Sequence, residues 1–163
     1  MRWFKRRHQE AISAEAFALF LLKVTTGIVK DASQTLEKHL NAAEHSRLSK
    51  VEEELSYFFV FALDYWWTTD SNRTQEERRI VRQALETHLA NFTNMDTLQE
   101  RLIAYAQIVN EGKGDYAMFS GFGMKLSEYC GMPDVLFLVL APDLFTKAGE
   151  SLDRLRSVRL KLR

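Results

Sequence analysis

Asp64 stands inside the most aromatic stretch of the chain, where Tyr57, Phe58, Phe59, Phe61, Tyr65, Trp66 and Trp67 give seven rings in eleven positions. A carboxylate held among rings loses hydration, which favours its protonated form and makes it a candidate general acid or the polar anchor of a ligand site. At about 100° per residue it shares a helix side with Tyr57, Phe61 and Thr68. The alternative is structural: the carboxylate accepts from a tyrosine hydroxyl, an indole N–H or an arginine, or points to water. Tyr57, Phe61, Asp64, Tyr65, Trp66 and Trp67 are the candidate ligand or interface residues, and no catalytic residue is assigned.

Other reactive types are sparse. Metal chemistry in a helical bundle calls for Glu-x-x-His pairs projecting inward, and that spacing is missing. His39 and His45, with Glu44 beside them, are about 120° out of alignment on a continuous helix and read as solvated groups at a helix end. His88 falls among Leu85, Leu89 and Phe92, the setting of a satisfied boundary histidine. Neither a metal nor a cofactor is expected. Gly112-Lys-Gly114-Asp-Tyr-Ala117 matches a dinucleotide pattern in letters only, because a helix and not a strand precedes it. Gly121 and Gly123 read instead as places where another helix approaches closely or the chain bends. Cys130, the one cysteine, lies at a helix end where the dipole disfavours a thiolate; it cannot form an internal disulfide and suits a reducing cytoplasm. No Gly-x-Ser-x-Gly elbow occurs. The enzyme reading therefore leans negative.

The net charge of zero hides a separation. Nine of the 22 basic residues lie in segments 1–7 and 154–163, leaving thirteen against 22 acidic ones between them, a body charge of −9. Such a body repels nucleic acid, and the inner cluster Arg73, Arg78, Arg79 and Arg82 is interleaved with Glu76 and Glu77 like a solvated face. The ends form two basic tails. Arg2, Trp3, Phe4, Lys5, Arg6 and Arg7 at one end, with Arg156, Arg159, Lys161 and Arg163 at the other, are candidates for an anionic membrane surface. No secretory signal is expected, since Glu10 and Glu15 interrupt the basic start and no cleavage pattern follows Ala16–Leu22.

The elements that position these residues read as helices throughout. Phe17, Phe20, Leu21, Val24, Ile28, Ala32 and Leu36 make one stripe from about Ser13 to Leu40. Ser49 with Glu52 and Thr74 with Glu77 have the spacing of capping boxes, predicting helix starts there. Asp96 is a weaker start for the stripe Leu98, Leu102, Tyr105, Ala106 and Val109. A fifth helix spans Asp115 to Cys130, closed by Gly131 and Pro133. Val135–Ala141 reads as a short buried helix, with Pro142-Asp143 opening a last one, and the period-two pattern of Val158–Arg163 suits an extended tail. The expected fold is all-α: a single-domain bundle over residues 1–163, of five or six largely antiparallel helices.

The rings between Tyr57 and Trp67 point in directions spread all around a helix, so no peripheral helix could bury them. The aromatic helix is expected at the centre, feeding a homodimer contact or an apolar ligand cavity. The functional expectation is a cytoplasmic, non-enzymatic interaction or small-ligand-binding module that self-associates. Peripheral docking on anionic membrane, and an enzyme using Asp64, stand as alternatives.

Overall fold

Ser13 starts the first long helix by accepting the Ala16 amide on its hydroxyl at 3.1 Å, and α1 runs Ala14–Glu37. The computed structural model describes residues 11–161, apart from residue 92 and the side chain of residue 43. After α1 come a single turn, α2 (Ala42–His45), then α3 (Leu48–Thr69), α4 (Gln75–Leu89), α5 (Met95–Glu111), α6 (Asp115–Cys130) and α7 (Asp134–Arg154). The protein is all-α, as periodicity predicts. Among the described residues no strand forms, and one isolated parallel bridge joins Ile12 to Leu160.

α3 is the hub, packing against α1, α4, α5, α6 and α7. Its rings are shielded by those neighbours: Phe58 and Phe59 are fully buried, and Tyr57, Phe61 and Trp67 nearly so. Phe58 meets Tyr105 of α5 and Phe122 of α6 with centroids 5.0 and 5.2 Å apart, Phe122 meets Phe145 of α7 at 5.4 Å, and Phe17 of α1 meets Trp67 at 5.1 Å. Tilted and edge-on pairs of this kind contribute about 0.5–1.5 kcal/mol each beyond the area they bury. Antiparallel pairing follows the short turns in α5–α6 and α6–α7, whereas α3 and α5 run side by side in the same direction, with Glu54 facing Arg101 and Phe58 facing Tyr105.

Four expectations need correction. The box at Ser49 and Glu52 does not form; α3 begins at Leu48 after Arg47, which supplies no side-chain cap. The reciprocal pair sits eight residues earlier, at the start of α2, where the Asn41 amide donates to Glu44 and the Glu44 amide donates to Asn41, at 2.9 and 3.1 Å. Arg47 instead donates to the Gly131 carbonyl at the end of α6. α5 starts from Asn94, whose side chain accepts the Asp96 and Thr97 amides, and not from Asp96. Phe20 leaves the α1 core stripe and is exposed, its place taken by Ala18, Thr25 and Val29. Pro142 does not open a new helix: α7 passes through it. An interior proline costs about 3 kcal/mol. Burial of Phe137, Ala141, Leu144, Phe145, Ala148 and Leu152 on one unbroken face outweighs that cost.

The glycines of α6 work as spacers. A Cβ on Gly123 would lie 2.8 Å from the Leu138 Cα, and one on Gly121 would lie 2.7 Å from the Ile108 side chain, so α6 can approach α7 and α5 only without them. Beyond α7 the chain does leave the helix. Ile12 and residues 159–161 exchange backbone hydrogen bonds at 2.9 Å, and the buried Arg73 guanidinium donates to the Val158 and Leu155 carbonyls while lying over the Trp67 ring.

Candidate functional site

α4 packs chiefly on α1 and α5 on α3 and α6, so α4 and α5 diverge from the turn that joins them. Their separation leaves one strip of α3 uncovered, running Ser49, Glu53, Ser56, Val60 and Asp64 at near-four-residue intervals. Two adjoining clefts lie along this strip. The first, of about 570 Å³, is walled by α1 at Leu22 and Lys23, by α3 from Ser49 to Val60, and by Leu89, Thr93 and Leu98. The second, of about 460 Å³, is walled by Asp64, Arg82, Leu85, Glu86 and the start of α5. They share Val60, Leu89 and Leu98, which makes them one groove with an apolar floor.

Two of the sequence-predicted site residues reach this groove. The Tyr57 hydroxyl donates to Glu53 at 2.7 Å and accepts from the Thr93 hydroxyl at 3.0 Å. Burial raises the Tyr57 pKa above that of an ordinary tyrosine; the Thr93 hydrogen bond works against the shift and the Glu53 carboxylate adds to it. Asp64 is half-buried and bound edge-on by Arg82, with Nε at 2.9 Å from Oδ1 and Nη2 at 2.7 Å from Oδ2. Arg82 also donates to the Thr68 hydroxyl at 3.1 Å. A carboxylate with both oxygens engaged by one guanidinium is a cross-link between α3 and α4.

The remaining four lie outside this groove, and Trp66 borders a separate hollow of about 130 Å³ with Thr69, Asp70, Gly149 and Arg156. Phe61 and Trp67 are core, the Trp67 N–H donating to the Arg78 carbonyl at 3.4 Å. Tyr65 packs on Phe145, and Trp66, 37% exposed, donates its N–H to the Phe145 carbonyl at 3.0 Å with its indole against Gly149. The arginine cluster is not a simple solvated face. Arg73 clamps the C-terminal turn, Arg78 donates to the Asp70 carbonyl at 2.7 Å, and Arg82, though exposed, holds Asp64; Arg79 pairs on the surface with Glu76. Of the membrane-surface candidates, Arg156, Arg159 and Lys161 are exposed, while Leu155, Val158 and Leu160 beside them pack on the core. Arg2, Trp3, Phe4, Lys5, Arg6, Arg7 and Arg163 lie outside the described residues. His45 reaches Glu37 at 3.9 Å, and the buried Nε2 of His88 has no hydrogen-bond partner among the described residues. Among the described residues no group of His, Cys, Asp and Glu could hold a metal ion. No helix there is long and apolar enough to cross a membrane.

The most unusual charge chemistry was not singled out from sequence. Glu54 of α3 is buried and takes two hydrogen bonds from Arg101 of α5, at 2.9 and 3.0 Å, while Arg101 stacks 3.6 Å from the Tyr129 ring centre. The bond to Glu54 holds the Arg101 guanidinium even more firmly in its charged form. Tyr105 and Cys130 lie in the same interface; burial pushes the Tyr105 hydroxyl well above the usual range and the Cys130 thiol up to about 12. The signal was present: Glu54 stands four residues before Phe58 on the stripe that faces the core, a position where an acid needs a partner.

A second surface lies on the α6–α7 hairpin. Tyr116, Val139 and Val135 are 88%, 76% and 64% exposed, with Met124 and Leu138 beside them. Helical spacing places them on the outward side of the two helices, together with the small uncharged Ser120 and Pro142. Two of the nearby cations are paired within their own helices, Lys125 with Glu128 at 2.8 Å and Lys147 with Asp143 at 2.7 Å, and the exposed Asp115 and Asp134 stand at the ends of the patch beside Tyr116 and Val135. Comparison of the chain with protein families, with curated proteins and with solved structures returns no match.

Proposed function

We propose that this chain is a non-enzymatic helical interaction module that self-associates through the outward face of α6 and α7. The observation that carries the reading is the apolar, uncharged character of that face, with Tyr116, Met124, Val135, Leu138 and Val139 all exposed. Side chains of this size, exposed to this degree, make a patch of several hundred Å², the range in which surfaces mark contacts. Lys125 and Lys147 on its rim are already paired within their own helices and ask for no acidic partner. That favours an isologous contact, in which each patch meets its own copy and the two hairpins make a four-helix layer.

This differs from the expectation that the aromatic helix feeds the dimer, because α3 spends all its rings but Trp66 and part of Tyr65 inside the molecule. The enzyme alternative loses its support at Asp64, whose two oxygens are bound by Arg82. Sedimentation of the intact chain, and of a Val139→Asp variant, tests the proposal. The native protein is expected near twice 18.9 kDa at high micromolar concentration and the variant at the single-chain mass. A single-chain mass for the native protein, or a doubled mass that survives Val139→Asp together with Met124→Asp, overturns it.

A further inference from the structure

The groove over α3 has a length, a floor and a rim that together describe its occupant. From Ser49 to Asp64 the uncovered strip rises through fifteen residues, about 22 Å of helix, which matches a partner helix of about four turns. The floor is aliphatic: Leu22, Val60, Leu85, Leu89, Leu98 and Leu102. The rim is acidic. Asp64 and Arg82 neutralise each other, and what remains is Glu52, Glu53 and Glu86 against the single Lys23.

We propose that this groove is the docking site of a basic amphipathic helix supplied by a partner protein. Apolar side chains at three- and four-residue spacing would lie on the leucine floor, and lysines or arginines on the flanks would meet Glu52, Glu53 and Glu86. Nothing catalytic is needed of the site, and the Tyr57–Glu53–Thr93 hydrogen bonds keep the first cleft in shape without using the outer face of Glu52. Charge complementarity separates this occupant from a second copy, which would bring its own acidic rim against this one. Length separates it from a compact apolar molecule, which would fill one cleft and leave the other empty.

The proposal is tested on the full chain with three synthetic peptides of about four turns: one with leucines on one face and lysines elsewhere, the same peptide with glutamate for lysine, and a scrambled peptide of the first composition. By fluorescence anisotropy the lysine peptide is expected to saturate at one per chain, with the glutamate and scrambled peptides at least about tenfold weaker. Glu52→Lys with Glu86→Lys changes only exposed side chains and is expected to weaken binding about tenfold, with salt dependence reduced. Val60→Asp, checked for its thermal transition, is expected to abolish it. Equal binding of all three peptides, or binding indifferent to Glu52→Lys with Glu86→Lys, overturns the proposal. So does loss of binding in Val139→Asp, which would move the peptide to the α6–α7 face, and so does a doubled native mass that falls to one chain in the Glu52→Lys and Glu86→Lys variant, which would give the groove to a second copy.

Discussion

Glu54 and Arg101 put two full charges where the neighbouring side chains are rings, and their hydrogen bonds to each other are what makes that tolerable. Removing one partner strands the other. Arg101→Met is therefore expected to cost about 3–5 kcal/mol in urea unfolding, whereas the double change Glu54→Leu with Arg101→Met is expected to recover most of it. Two neighbours set an alkaline limit. The Tyr105 hydroxyl is buried with no hydrogen-bond partner among the described residues, and its pKa and that of Cys130 are raised by burial. The unfolded chain releases these protons first, near pH 9 for cysteine and pH 10 for tyrosine, so the stability they contribute is complete below about pH 9 and is lost as the pH rises toward their folded values. Urea midpoints at pH 7 and above pH 10 check this. Tyr105→Phe is expected to be at least as stable as the native chain at pH 7 and to lose less in alkali. Cys130 is expected to stay unreactive to thiol reagents at pH 8 until the protein unfolds. Asp64 was legible from its type and neighbours, and one of the partners foreseen for it, an arginine, is the one it has. Glu54 is not legible in the same way, because the five glutamates from Glu37 to Glu54 look alike until the stripe they occupy is resolved in three dimensions.

Among the elements, helix centres were readable from apolar spacing, and helix starts only where side chain and backbone agree. Thr74 and Glu77 form the full box, each bonded to the other's backbone. Ser49 and Glu52 have identical spacing yet lie past the start of α3, because the chain enters the helix two residues earlier, from Arg47. Thermal unfolding is expected to show the difference: Thr74→Ala should cost about 1 kcal/mol and Ser49→Ala close to none. α7 illustrates the opposite limit. Local rules end a helix at Pro142, but six buried residues spread on both sides of the proline hold one face against α3 and α6, and burial wins. No local pattern contains that information, since it depends on what stands opposite. The close approaches at Gly121 and Gly123 were legible, because a glycine pair inside an otherwise good helix has few other uses.

For the molecule as a whole, the seven rings between Tyr57 and Trp67 decide the architecture. They point in too many directions for a surface helix, and the other helices assemble around them. That much was readable in the order of residues. Where the outward surfaces fall was not: the groove exists because α4 and α5 diverge, and the apolar face exists because α6 and α7 turn Val135, Val139 and Met124 away from the core. Both depend on packing order, which periodicity does not encode. Hydroxyl-radical footprinting of the intact chain at low and high micromolar concentration tests the self-association most directly. Met124 and Tyr116 are predicted to become protected as concentration rises while Trp66 stays equally oxidised. Unchanged oxidation of Met124 and Tyr116 at the higher concentration would contradict the account.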